Sequence, residues 1–443
     1  MPEIKPADRI IHPRWLVTDS RTHTVLEHHS IVIAHGRVID VCPSTVARRF
    51  YQAPWIHELP HHIVIPGLIN LHTQAATVLF RGLLDDRSLA DWQHQALAPL
   101  ERAIVSEEMV RTGVELAMAE LLHGGQTWFS DSYFFPDIVG EAALAAGMRC
   151  RLNIPISPAE TAWSRHADDA LRRCLNTMDR FKGNRQISTG FGPHSANVLS
   201  DALLAKIGTL AAELGQSIQM RVQQSATERA DSLQRFGQTP IERLDRCGLL
   251  TPEFQAVHAI HLTEPECDLL ALRGVHVVHC PISNAKLASG MARIQRLRDA
   301  GVQIGLGTAS AASHNSLSLL EEAKFASLLG KLSANDARAV TAWTCLEMMT
   351  CDAAAILGRN DLGHLNPGAE ADLAAFPFNA VSSAPLYHPI SQLIYANHGL
   401  AASDVWIGGE LVLRQGRLVH IDEEAAIEAA NDFVARHVPV QNL

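Results

Sequence analysis

The feature that most constrains the fold is a rhythm running from about residue 63 to residue 330, in which a short buried strand, a loop and a long helix recur eight times. The strand-like runs are IVIPGLIN, QTWFSDS, RCRLNIPI, QISTGFGPHS, SIQMRV, QAVHAI, VHVVHCP and VQIGLGT. Helical periodicity follows them near 107–124, 136–147, 165–183, 200–215, 230–246, 263–273, 292–300 and 316–330. Eight such units in one α/β chain predict a parallel (β/α)8 TIM barrel rather than a doubly wound sheet.

A barrel needs about 250 residues, so the 443-residue chain has material left at both ends. Residues 8–60 alternate short β-type runs with turns, including the hairpin-like His35-Gly36, and β runs return in GHLNPGAEADLAAF and DVWIGGELVLRQGRLVHID. The expected organisation is a small composite β-sandwich from 1–62 and 366–422, a barrel over 63–365, and a C-terminal helix and tail over 423–443.

Composition narrows the function classes. A net charge of -10 leaves no basic footprint for nucleic acid or an anionic membrane. No basic-then-apolar leader and no 18-residue apolar run occurs, so the expected location is cytoplasmic. Eight dispersed cysteines without a C-x-x-C pair read as reduced and mostly buried.

Barrel enzymes carry their reactive groups at the C-terminal ends of strands. Those positions hold His72 and Gln74, His194, the segment Arg221 to Gln224, His258, His279 and Ala309. Other histidines, among them His94, His123 and His388, read as surface or packing residues. The segments PGLINLHTQAATVLFRGLLDD, FGPHS, SIQMRVQQSATE, AVHAIHLT, VVHCPISNAKLASG, GVQIGLGTASAASHNSL and PGAEADLAAF together resemble the amidohydrolase superfamily. The likeness is to the branch of methylthioadenosine/S-adenosylhomocysteine deaminases and triazine (TRZ/ATZ-like) hydrolases. It implies a barrel with a β-sandwich built from both chain ends, commonly as a dimer or larger homo-oligomer.

The resemblance also implies a mononuclear metal site, and this chain departs from it. The family's His-x-His pair falls on His72 and Gln74, its strand-five histidine on Arg221, and the glutamate three residues on at Gln224. Its strand-six histidine falls on His258, and its strand-eight aspartate on Ala309. Zinc takes about four N, S or O donors; two imidazoles and an amide are a poor set, and a fixed guanidinium repels a dication. No metal and no other cofactor are therefore expected. Trp92, His194 and Ser313 fall where the deaminase branch holds its nucleoside.

The bland readings stand beside these. His72 and His258 read equally well as satisfied structural histidines. Gln74 and Gln224 fill space by hydrogen-bonding each other, and Arg221 pairs internally with Glu228 or Asp131. Three functions remain open. The first is a metal-independent enzyme acting on a nucleoside-like or N-heterocyclic small molecule, anionic or purine-like, by hydrolytic, lyase or cyclisation chemistry. In it Arg221 replaces the metal and His72, His194 and His258 serve as acid or base, while Gln74, Trp92, Gln224, His279, Ala309, Ser313 and His314 contact substrate. The second is a non-catalytic ligand-binding or regulatory homologue. The third is a deaminase of methylthioadenosine or adenosine type with a rebuilt site, for which His279, Ser310 and His314 are nearby candidates.

Overall fold

In the computed structural model, residues 4–438 are described. The expected rhythm emerges as parallel strands β1 (Leu68–Gln74), β2 (Gln126–Asp131), β3 (Arg149–Ile156), β4 (Ile187–Pro193), β5 (Ser217–Val222), β6 (Phe254–His258) and β7 (His276–His279), each paired with the next. The eighth, β8, is broken. Its first piece, Ile304–Leu306, pairs with β7, and its second, Ala309–Ser310, pairs with β1 opposite Thr73 and Gln74, closing the ring. The break holds two strand neighbours in register across a tight closure, and Gly307 is required there. A Cβ on it would stand 2.8 Å from both the Cβ and the backbone nitrogen of His72.

The strands are buried almost throughout, as barrel strands covered by helices must be. Helices follow each strand, several with a serine or threonine N-cap whose hydroxyl accepts from the third helical N–H, as Ser106 does from Met109 at 3.2 Å. The expected helix around 230–246 is two, Ala226–Phe236 and Pro240–Arg246, separated by Gly237 at φ 69°. The region 335–357 likewise holds Ala342–Met349 and Cys351–Ile356.

Both chain ends contribute to one nine-stranded sheet. Strand Leu373–Pro377 runs antiparallel to Trp55–Pro66, joining the late segment to the early one. Trp55–Pro66 is continuous across residues 62 and 63, so the expected boundary falls inside a strand. His35 (φ 53°) and Gly36 (φ 73°) form the two-residue turn between His29–Ala34 and Arg37–Pro43. The segment 366–422 is not all β: helix Pro389–Tyr395 lies against helix Leu319–Ala334, with Tyr395 and Ser327 hydroxyls 2.8 Å apart.

Sheet and barrel are tied by a buried cluster. Arg149, at the start of β3, donates to Asp372 at 2.8 Å and to Glu370 at 2.7 Å. Removing one member would strand a buried charge. Helix Glu423–His437 packs on helix Glu107–His123, with Arg436 donating to Glu108 at 2.8 Å; residues 439–443 of the expected tail, and 1–3 of the expected β unit, lie outside the described residues. Among those described, no helix is long and apolar enough to cross a membrane. All eight cysteines are free.

Candidate active site

A cavity of about 300 Å³ opens at the C-terminal ends of the barrel strands. Trp92, Leu97, Tyr133, Phe134 and Ile156 give it apolar walls. His72, Gln74 and Arg221 form its inner end, which continues into a recess of about 10 Å³ reached also by Gln224, His258, Ala309 and Ser313. Strand alternation explains the grouping: His72 and Gln74 on β1 point inward, whereas Leu71 packs outward with Ala353 and Ile356.

His72 is oriented by a layer of amides crossing the barrel. Its Nδ1 lies 2.6 Å from the carbonyl oxygen of Gln219, which also accepts from Ser132 Oγ and Asn153 Nδ2 at 3.0 Å each. Gln219 Nε2 donates in turn to Leu71 O and Gln255 Oε1, both at 2.8 Å. A carbonyl oxygen only accepts, so His72 carries its proton on Nδ1 and leaves Nε2 as a lone pair. His258 is held the same way, its Nδ1 2.7 Å from Asn284 Oδ1. The two rings face each other edge-on, centroids 6.4 Å apart. Burial, reinforced by Arg221, lowers His72 to about 4. Burial, with His72 and Arg221 adding, takes His258 well below the usual range. Both are neutral imidazoles at neutral pH.

Backbone strain collects at this end. Gln223 (φ 48°), His258 (φ 71°), Ala259 (φ 47°) and Ala309 (φ 53°) all occupy the left-handed region, which costs non-glycine residues about 1–3 kcal/mol each and is typical of functional sites. Tertiary hydrogen bonds hold it: the N–H of Ala259 donates to Val222 O at 3.1 Å, and that of Ile260 to Gln223 O at 3.2 Å.

Arg221 has neither of its expected partners. Among the described residues it makes no hydrogen bond and no ion pair, and burial pulls its guanidinium below its usual range while Glu101 and Glu228 at longer range oppose that. Glu228 accepts the Gln224 N–H at 2.9 Å, Glu101 the Tyr133 hydroxyl at 2.9 Å, and Asp131 the Ala75 N–H at 2.7 Å. Asp131, fully enclosed, is raised to about 7 by burial. Gln74 and Gln224 do not pair either. The first reaches Ser132 O at 3.4 Å, and the side chain of the second takes no partner among the described residues.

Ten of the residues singled out from sequence as site candidates line the cavity or its recess: His72, Gln74, Trp92, His194, Arg221, Gln224, His258, Ala309, Ser310 and Ser313. His194 stands at the wall, exposed, where the surrounding protein and then Arg221 lower it from the usual histidine range. His279 and His314 line neither space. His279 is a core residue lowered to about 3 by burial, and His314 lies 3.1 Å from Glu322 in a fully buried pair. His94, read as a surface residue, lines the cavity beside Trp92 on the π-helix Trp92–Leu97. Glu101, Tyr133, Asn153 and Gln219 were missed. Gln219 lies two residues before Arg221 on β5, so strand alternation alone could have placed it inward.

A metal of the family's kind does not suit these residues. Two imidazole Nε2 atoms converge, Gln74 adds a weak oxygen donor, Ala309 adds none, and the guanidinium of Arg221 lies alongside. Among the described residues, no three His, Cys, Asp or Glu side chains gather in a way that could hold a metal ion.

Comparisons extend the picture across the chain. Residues 63–412 match the profile of the amidohydrolase family. A 5-methylthioadenosine/S-adenosylhomocysteine deaminase of Saccharophagus degradans is 38% identical over 418 residues, 94% of each chain. Its counterpart in Teredinibacter turnerae is 37% identical over 425 residues, 96% of each. The crystal structure of an adenosine deaminase from Xanthomonas campestris with bound zinc superposes with a TM-score of 0.95 at 36% identity, covering 98% of this chain and 99% of that one. Atrazine chlorohydrolase from Arthrobacter aurescens, complexed with zinc, shares the fold at 22% identity and a TM-score of 0.89, over 96% and 100% of the two chains.

Proposed function

This chain belongs to the amidohydrolase family, and from that premise we propose that it is a hydrolase acting on a nucleoside-like N-heterocyclic small molecule of the adenosine class. One observation carries the reading: a cavity of about 300 Å³ at the strand ends, walled by Trp92, Tyr133 and Phe134 and polar at one end. That is the volume and lining of a small-molecule pocket. The relatives' names make 5′-methylthioadenosine and S-adenosylhomocysteine the first candidates. They also favour hydrolysis of a C–N bond, the deaminase reading, over the lyase, cyclisation and metal-independent readings drawn from sequence.

The residues at the inner end supply part of what such a reaction needs. Arg221 offers donors and a full positive charge where negative charge would develop on a reacting carbon's oxygen. The Nε2 atoms of His72 and His258 accept protons or orient water. With His72 lowered to about 4, it is a weak base at pH 7. Gln224 cannot exchange a proton as a carboxyl does. A metal-bound water, with its pKa near 7 instead of 15.7, has no substitute of equal strength among these groups. The donor set thus supports a second reading, in which the heterocycle brings a better leaving group than the 6-amino group of adenine.

The protein as purified, incubated with methylthioadenosine, S-adenosylhomocysteine and adenosine, with and without chelator or added zinc, separates the readings when ammonia and the 6-oxopurine are quantified. Release of ammonia with the 6-oxopurine is the expected result, and its absence from all three compounds under every condition would leave the reading with a better leaving group. Conversion that appears only with zinc would restore an ordinary deaminase, and a thermal shift without product would leave a binding protein.

A further inference from the structure

Arg221 reaches both the main cavity and the recess beyond it. Its guanidinium presents five N–H donors in a planar fork, and no acceptor or carboxylate of the described chain engages them. The nearest acids are committed elsewhere, Glu101 to the Tyr133 hydroxyl and Glu228 to the Gln224 N–H. The guanidinium is part-buried on the cavity lining, where a charge drawn partly from water without a counter-charge is costly, and the described residues offer it none. The Gln224 amide, free of partners, lines the same recess, and the Gln74 amide is held only by one long contact of 3.4 Å. Ser310 and Ser313 are already engaged, with Thr77 at 2.9 Å and with Ser310 O at 3.0 Å. Beside the Nε2 lone pairs of His72 and His258, this end of the cavity therefore supplies amide donors and one positive charge that no anion of the described chain answers.

Shape selects among anions. A recess of about 10 Å³ has room for roughly one water-sized group. A flat carboxylate can lay one oxygen there and the other against the guanidinium fork, whereas a tetrahedral phosphate has more oxygens than the recess accommodates. Trp92 borders both spaces and provides a face for a flat ring attached to that carboxylate. We propose that the inner end of the cavity is an oxyanion site, in which Arg221, flanked by the Gln74 and Gln224 amides, takes the carboxylate of a planar heteroaromatic ligand. The ring of that ligand rests on the N-heterocycle reading above; the carboxylate does not.

Calorimetric titration of the full chain with purine-6-carboxylic acid and orotic acid, each against its neutral carboxamide, tests the site. The carboxylate is expected to bind at least about tenfold tighter than its carboxamide, since a charge-assisted pair with the guanidinium replaces neutral contacts. Arg221→Gln should abolish that preference and Arg221→Lys should keep part of it. The melting temperature of Arg221→Gln should stay level or rise, because an unpaired, part-buried cation has been removed; a structural arginine would lower it. Equal affinity for acid and amide, a preference that survives Arg221→Gln, or no binding by either acid would overturn the proposal. Methylthioadenosine bound without any carboxylate preference would overturn this site and leave the adenosine-class reading standing. A carboxylate preference in a protein that neither binds nor converts methylthioadenosine or adenosine would do the reverse.

Discussion

The two ends of the cavity are built to different rules. The outer wall, with Trp92, Leu97, Tyr133 and Phe134, is apolar and gives shape. The inner end is polar and strained, with two neutral imidazoles locked by Gln219 and Asn284, left-handed residues at His258 and Ala309, and an unpaired guanidinium between the two spaces. Positioning and chemistry separate here. The framework that aims two Nε2 atoms at one point is complete, while the side chains that would finish a metal site around that point are a glutamine, an arginine and an alanine.

The largest effect that would sharpen this contrast is restoration of donors at the inner end alone. Combining Gln74→His, Arg221→His, Gln224→Glu and Ala309→Asp should raise bound zinc from below about 0.1 to about 1 per chain, because four imidazoles and an aspartate then meet zinc's need for about four donors. Elemental analysis reads the change. Failure to bind would mean that the framework, and not only the donors, differs from a metal site.

Next in size is truncation of the outer wall. Trp92 is 3% exposed, so Trp92→Ala should cost about 3–5 kcal/mol of stability, as buried aromatic truncations do, and weaken methylthioadenosine binding at least about tenfold. Urea denaturation and titration measure the two. The carboxylate preference set by Arg221 should persist; its loss together with ring binding would show the two ends acting as one unit.

The smallest effect is in pH. His72, depressed to about 4, adds stability that is fully present above pH 6.5 and is lost as pH falls through 4. Its share is on the order of 3 kcal/mol, at about 1.4 kcal/mol per pH unit. Asp131 runs the other way. Raised to about 7, it adds stability that is present below 3.8 and lost as pH rises through 7. Buried His279, lowered to about 3, sides with His72, so the melting temperature should drop from pH 6.5 to 4. His72→Gln should flatten that drop and Asp131→Asn should steepen it. A drop unchanged by His72→Gln would mean that the histidine is not neutral in the folded state.

Much of this was legible before any coordinates. The barrel could be read because its signal is local: each strand is a short apolar run, each helix a 3.6-residue period, and both repeat. His72, Gln74, His258 and Ala309 could be read because strand ends are where a barrel displays its side chains. His194 could be read from its strand end as well as from the resemblance, Trp92 from resemblance alone, and both line the cavity. His94 is exposed, as read, but its place beside the cavity left no signal, because a π-helix between barrel strands has no periodic trace; His314 was misjudged because the Glu322 that holds it lies on the next helix. The split of β8 was invisible because closing the ring depends on strands more than 200 residues apart.

The sequence by itself determined which atoms stand at the strand ends, and so the shortage of metal donors; residue identity and strand period suffice for that. Only the tertiary structure decided that Arg221 is unpaired. Glu101, Glu228 and Asp131 were all possible partners in composition, and whether a charge is neutralised depends on distances of a few ångströms between residues far apart in the chain. Those distances are set by how the barrel closes and where each carboxylate finds a backbone N–H or a hydroxyl first.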